Sequence, residues 1–290
     1  MHEVEVKGIL SSSNGMNVYR GCSHGCIYCD ARSKCYQFTH EFEDIEVKAN
    51  APILLERALK SKRKKCMIGT GSMCDPYIHL EDKLQITRRC LELIDRYGYG
   101  LTILTKSSRI LRDFDLITSI NNKSKAVVQM TMTTYDDDLC RIIEPNVSVT
   151  SERFETLMRF KEAGVPIIVW LTPILPYIND TEENIRGLLD YCVKLGVKGI
   201  ITFGVGLTLR EGDREYYYAA LDKHFPGLKE RYIREFGDNY EIASPNCNHL
   251  YRIIEKTCRK NGIMYNTDEC FSYMQEFPEK YIQLDMFDLL

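Results

Sequence analysis

Cys22, Cys26 and Cys29 stand at CxxxCxxC spacing in a short loop that also holds Gly21 and Gly25. Cysteine thiolates are the natural ligands of iron–sulfur clusters. Three sulfurs on one loop bind three irons of a four-iron cubane and leave the fourth iron open. A small molecule can chelate an open iron through an amino and a carboxylate group. The competing chemistry is zinc. A structural zinc site takes four ligands, and the fourth would come from His24, Cys35 or His40. Only one CxxC pair is present, not the two pairs of a zinc knuckle. A third reading is three incidental buried thiols.

Such a loop needs a frame. Short β-rich runs alternate with longer amphipathic ones along the chain. Predicted strands are Met16–Arg20, Lys65–Gly69, Gly100–Thr105, Ala126–Met132, Pro166–Leu171 and Gly199–Val205, so the cluster loop follows the first strand directly. Leu84, Ile86, Cys90, Leu91 and Leu93 fall at helical spacing and predict a helix over Leu80–Tyr97. A second helix, Ser151–Ala163, opens with Ser151 as its cap and ends at Gly164. A third, Thr181–Leu195, follows Asp180 and ends at Gly196. Six strand–helix units argue for a parallel sheet with helical crossovers, too few for a closed eight-unit barrel. The expected fold is α/β, a partial (β/α)6 barrel over residues 1–210. A mainly helical extension over residues 211–280 packs on it, followed by a tail at 281–290. The run Tyr216–Tyr218 reads as packing.

A chain of 290 residues suits one domain with small additions. Its net charge of −3 excludes a global basic field for nucleic acid, and the dense basic run at 61–65 reads as a solvated helix end. The twelve cysteines are scattered, no apolar run reaches a membrane span, and no basic-then-apolar leader opens the chain. A reduced, cytoplasmic location is expected, where clustered cysteines mean a metal more often than a disulfide.

With an aromatic, Tyr28, just before the last cysteine, the motif resembles the signature of the radical S-adenosylmethionine (SAM) superfamily. The resemblance implies a radical SAM barrel, a [4Fe–4S] cluster on Cys22, Cys26 and Cys29, and SAM at the open iron. It places Tyr28 near the SAM adenine. Gly69-Thr70-Gly71-Ser72 looks like the family's glycine-rich turn that meets the SAM amino group. Lys106, ending the third strand, would pair with the SAM carboxylate, and Thr131 and Thr133 would reach the ribose. Residues just past the strand ends are the best site candidates, Arg153 (as a SAM contact) and Tyr177 among them.

Met73-Cys74-Asp75-Pro76-Tyr77, Arg112-Asp113, Glu144-Pro145-Asn146 and Thr172-Pro173-Ile174-Leu175-Pro176 resemble the spore photoproduct lyase-like group over roughly residues 15–210. That likeness implies a nucleic-acid substrate, lyase chemistry of the DNA-repair type, and a reductant such as flavodoxin or ferredoxin. Cys74 and Tyr77 are the catalytic candidates. Cys74 is the candidate hydrogen-atom donor, with Cys140 in reserve, and the competing reading of Cys74 is a small buried hydrophobe. Two other classes stay open: radical modification of a peptide or activation of a partner protein, and electron transfer without SAM chemistry. At the C-terminus, Gln283-Leu284-Asp285-Met286-Phe287 resembles the peptide by which bacterial repair proteins dock on the DNA sliding clamp. The competing reading is that Leu284, Met286 and Phe287 pack on the barrel.

Overall fold

The computed structural model describes residues 1–278; the Gln283–Phe287 motif lies outside the described residues. Eleven strands are present among them: β1 His2–Val4, β2 Gly15–Met16, β3 Tyr19–Arg20, β4 Glu46–Lys48, β5 Met67–Thr70, β6 Gly100–Thr105, β7 Ala126–Thr131, β8 Ile167–Trp170, β9 Gly199–Ile201, β10 Gly206–Thr208 and β11 Glu241–Ala243. The helices are α1 Ala51–Ser61, α2 Glu81–Leu84, α3 Ile86–Arg96, α4 Phe114–Lys123, α5 Asp137–Ile143, α6 Thr150–Glu162, α7 Glu182–Leu195, α8 Asp213–His224, α9 Leu228–Phe236, α10 Cys247–Asn261 and α11 Thr267–Gln275.

Six strands form one sheet in the order β2-β5-β6-β7-β8-β9, every neighbouring pair parallel. This is the expected open α/β barrel. Its strands are apolar on both faces because helices cover one side and side chains fill the other: all six residues of β7 are buried. The crossover helices supply the other half of the core. In α3, Ile86, Cys90, Leu91, Leu93 and Ile94 turn inward, and α7 begins on Thr181, whose side chain accepts the Asn184 N–H, and ends on left-handed Gly196.

Three local expectations are corrected. The run Met16–Arg20 is not one strand. Gly15–Met16 joins the barrel, whereas Tyr19–Arg20 leaves it to pair antiparallel with β4, which also pairs with β1 in a separate three-stranded sheet. The helix expected over Leu80–Tyr97 breaks at left-handed Gln85. The cause is Glu81, fully buried, whose carboxylate accepts the N–H groups of Thr87 and Arg88 at 3.1 and 3.4 Å and so caps the second piece. Ser151 does not cap its helix, which starts at Thr150 after Val149; the Ser151 hydroxyl instead bonds Asp137.

After β9 the chain forms helices α8–α11 and the antiparallel β10–β11 pair, whose strands flank α8 and α9 in sequence. This part shares a core with the cluster loop: Cys26, Ile27 and Tyr28 are buried together with Leu207, Leu209, Tyr217, Tyr232 and Ile242. The tyrosine run is packing, as expected. Tyr217 bonds Tyr232 at 3.0 Å, Tyr232 bonds the Pro176 carbonyl at 2.8 Å, and Tyr216 lies 3.7 Å beneath the Arg32 guanidinium. No helix among the described residues is long and apolar enough to cross a membrane.

Glu81 and Asp113, both fully buried, share Arg112 at 2.8 and 2.7 Å. Replacing Arg112 with Ala strands Glu81, while Arg88 still serves Asp113 at 2.8 Å. A stability loss of about 3 kcal/mol is expected, read as a lower urea midpoint with an unchanged m-value.

Candidate active site

The loop from Gly21 to Cys29 is shaped by two left-handed glycines. A Cβ on Gly21 would stand 2.4 Å from the Phe42 carbonyl, and one on Gly25 would press on Asn146 and Pro145. The segment after α5 grips the loop from below. The Ile27 N–H bonds the Ile143 carbonyl, the Asn146 N–H bonds the His24 carbonyl, and the Asn146 amide bonds the Ser23 carbonyl, all at 3.0–3.1 Å.

Beneath that grip lies a buried ion pair. Glu144 and Arg153 are both 0 % exposed and in direct contact. Glu144 also accepts the Tyr28 hydroxyl. Arg153 gives its remaining donors to the carbonyls of Thr131 and Ser148 at 2.8 Å each. Burial alone would raise the Glu144 carboxyl, but Arg153 and then Lys106 more than offset it and hold it below its ordinary value.

Above the loop the strand ends open into a cavity of about 770 Å³. Its wall includes Cys22, Tyr28, Cys29, Gly71, Ser72, Cys74, Lys106 and Thr131, and farther out Trp170, Phe203 and Tyr240. Cys26 lies behind this wall, in the buried core. Gly71 is left-handed, and a Cβ there would overlap the Leu104 carbonyl at 1.9 Å, so only glycine fits the turn. The Lys106 side chain lines the cavity, and its ammonium makes no hydrogen bond or ion pair among the described residues. Its ammonium lies 5.9 Å from the Tyr28 ring centroid. Burial by itself would lower the Lys106 pKa; Cys26, Glu144 and Cys29 outweigh it, and the group is held above its ordinary value.

Asp75 ties these parts together. One carboxylate oxygen accepts the Tyr77 N–H and the Thr105 hydroxyl at 2.8 and 2.7 Å; the other accepts the Lys106 N–H at 2.8 Å and lies 3.5 Å from His24 Nδ1. A single acid thus joins the ends of β5 and β6 to the cluster loop. The thiols feel different surroundings. The Cys74 thiol and the His24 ring hold Cys22 well below its ordinary value, whereas burial pushes Cys29 up to about 11.

Several expected contacts are not at this cavity. Arg153 does not face it; the guanidinium is consumed by Glu144 and two carbonyls. Thr133 is fully buried, off the wall, and its carbonyl accepts the amides of Asn179 and Asn184 at 2.7 and 3.1 Å. Tyr77 is fully buried and bonds Asp113 at 3.1 Å, on the far side of its strand end. Cys140 is buried beside Glu144 and Arg153. Tyr177 contacts α9, stacking under Arg231 and bonding Glu235. Structural bonds have claimed each of these side chains except Thr133, whose buried hydroxyl has no hydrogen-bond partner among the described residues. Conversely, sequence reasoning assigned no role to Asp75 or Glu144. Both stand in the motifs above, but the partners that define their roles, Thr105, Lys106 and His24 for Asp75 and Tyr28 and Arg153 for Glu144, belong to other elements and leave no local pattern.

The donor set fits a cluster better than zinc. Tetrahedral zinc with sulfur at about 2.3 Å brings its ligand atoms within about 3.8 Å of each other. No three ligand atoms of the loop, His24 and Cys35 come within 4.8 Å of one another. His40 sits elsewhere, beside His2 and Glu46, and Cys35 is exposed against Arg210 at 3.1 Å.

Residues 16–192 match the family model of the radical SAM superfamily. The chain belongs to that superfamily. Its cofactors are a [4Fe–4S] cluster and S-adenosylmethionine. Among the relatives, an uncharacterized protein of Mycobacterium tuberculosis is 29% identical over 230 residues, covering 75% of this chain and 65% of its own. One from Methanocaldococcus jannaschii is 33% identical over 169 residues, 58% of this chain and 62% of that one. This chain therefore matches slightly under two thirds of these relatives' length. In structure, spore photoproduct lyase complexed with dinucleoside spore photoproduct superposes with a TM-score of 0.61 at 14% identity, over 89% of this chain and 78% of that chain. At that identity the likeness is one of fold.

Asp75→Ala leaves three donors without an acceptor, at about 1–3 kcal/mol each where water cannot reach them. The expected result is a folded protein that melts earlier and binds SAM at least about tenfold more weakly, or about 1.4 kcal/mol. Isothermal titration of the cluster-loaded protein measures it.

Proposed function

We propose that the protein cleaves SAM reductively and uses the resulting radical on a nucleic-acid substrate, in lyase chemistry of the DNA-photoproduct type. The observation that carries this reading is one cavity that joins Cys22 and Cys29 to Lys106 at its base and to aromatic rings at its rim. Cys22, Cys26 and Cys29 would hold three irons, Lys106 would pair with the SAM carboxylate, and the Gly71–Ser72 turn would meet its amino group. When bound, the cluster and SAM supply a 5′-deoxyadenosyl radical by one-electron cleavage of SAM, with methionine as the other product.

The chain's own residues do the rest. Phe203, 64% exposed, stands edge-on to Trp170 at 5.7 Å, and Tyr240 lines the same cavity. Aromatic faces of this kind stack nucleobases without regard to sequence. Cys74 is the hydrogen donor. Cys74 lines the cavity, its thiol donates to the Gly21 carbonyl at 2.7 Å, and Cys22 and burial hold its pKa well above the ordinary value, so it stays protonated. Giving its hydrogen atom to the substrate carbon breaks S–H, forms C–H and leaves a thiyl radical. One electron from a reductant, such as flavodoxin or ferredoxin, and one proton from water reset it. The fold likeness to a lyase complexed with a dinucleoside photoproduct supports the same substrate class.

One observation favours a second reading, a peptide substrate. The cavity wall sets Lys106 against Asp30, Asp75 and Glu241, so no basic groove leads to the mouth as a phosphate backbone would favour.

Anaerobically reconstituted protein should carry about four irons and turn SAM into 5′-deoxyadenosine; Cys22→Ala, Cys26→Ala and Cys29→Ala should each lose both. With ultraviolet-irradiated DNA, mass spectrometry of the digested nucleosides should show loss of a photoproduct. Unaltered DNA alongside active SAM cleavage would move the substrate to the peptide class. Cys74→Ala should keep SAM cleavage and divert the repaired product to adducts; an unchanged product profile removes Cys74 from the mechanism.

A further inference from the structure

We infer that His2, His40 and Glu46 form a second metal site that takes a divalent ion of the zinc type, separate from the cluster. One ring nitrogen of each histidine and a carboxylate oxygen of Glu46 lie within 4.8 Å of one another. The sheet brings two of them together: His2 and Glu46 are register partners on the parallel strands β1 and β4. His40, on the loop that leads into β4, closes the third side, its ring 4.8 Å from that of His2 and nearly perpendicular to it.

The hydrogen bonds around the rings are those of ligands. His2 Nδ1 is 3.0 Å from an Asp44 carboxylate oxygen, and His40 Nδ1 is 2.9 Å from the Glu41 carbonyl. Metal-bound histidines hold their second nitrogen on such acceptors, which fixes the ring and directs the other lone pair at the ion. With Nδ1 committed, Nε2 is left to each ring. His40 Nε2 is buried, has no hydrogen-bond partner, and faces Glu46 Oε2 at 3.7 Å. Glu46 accepts no hydrogen bond among the described residues although its side chain is only 15% exposed. Arg20 comes within 3.9 Å of the same oxygen, but its hydrogen bonds go to the carbonyls of Tyr36 and Gln37 at 2.7 and 3.1 Å. A buried imidazole nitrogen with no hydrogen-bond partner among the described residues, beside a carboxylate held only by long ion pairs, is an arrangement that an ion resolves.

Two imidazoles and one carboxylate suit zinc and its neighbours better than magnesium or calcium, which prefer all-oxygen shells. His2, at 40% exposure, leaves the ion a path from solvent. The ion would act on the fold. It would pin β1 and the loop carrying His40 to β4, which pairs with β3, the strand that runs directly into Cys22.

Equilibrium dialysis of the cluster-loaded full chain against zinc, followed by elemental analysis, tests the site. One zinc per chain in addition to the cluster iron is expected, with a melting temperature that rises on zinc addition and no such rise with magnesium. Glu46→Gln and His40→Gln keep side-chain shape and should abolish zinc retention. Asp44→Ala removes no ligand, only the acceptor that holds His2, and should weaken zinc binding about 10–100-fold in a protein whose circular dichroism is unchanged. It decides the matter if either glutamine variant fails to fold. A wild-type chain that retains no zinc overturns the site, as does zinc held with equal affinity in folded Glu46→Gln, His40→Gln or Asp44→Ala.

Discussion

The contact between Glu144 and Arg153 holds the site's frame. Burying a carboxylate and a guanidinium together costs several kcal/mol of desolvation per ion before any attraction is counted, and at 0% exposure neither can turn to water. The arrangement survives because the remaining bonding capacity is used: the Tyr28 hydroxyl on Glu144, the Thr131 and Ser148 carbonyls on Arg153. The pair thereby couples the cluster loop, the end of β7 and the start of α6, three separate pieces of the chain.

Asp75 plays the matching part on the opposite wall. Its two oxygens gather the ends of β5 and β6, and its second oxygen lies against His24 in the cluster loop. Between the two carboxylates the cavity floor carries Lys106 without a paired anion, which is a suitable preset for a negatively charged group of a ligand. The polar frame faces inward, and the apolar core shared by Cys26, Ile27 and Tyr28 with the C-terminal part backs it. The loop that carries the thiols is therefore part of a packed core and not a surface excursion.

The proposed zinc-type site extends this logic to the outer sheet. β3 is only two residues long, too short to be stable by its own ladder, and yet it aims the chain into Cys22. Its partner β4 is where His2 and His40 converge on Glu46. An ion there would add rigidity where the hydrogen-bond ladder is shortest.

The sequence by itself determined the chemistry and the layers. CxxxCxxC with Tyr28 is local, so its spacing is legible without a fold, and the apolar runs that become β5–β9 differ from prediction by only a few residues at their ends. The lysine that enters the cavity, the glycine turn and Thr131 were legible too, because they sit where strands stop. Only the tertiary structure decided which polar side chains face the cavity. Arg153, Thr133 and Tyr77 have the right type and position in sequence, but Arg153 and Tyr77 are claimed by partners from other elements and Thr133 is buried off the cavity wall. Asp75 and Glu144 organise the site through such partners, and His2 meets Glu46 across 44 positions by strand register. The physical reason is common to all of them. A hydrogen bond or ion pair between distant residues depends on where the chain brings both ends, and hydrophobic periodicity carries no record of that.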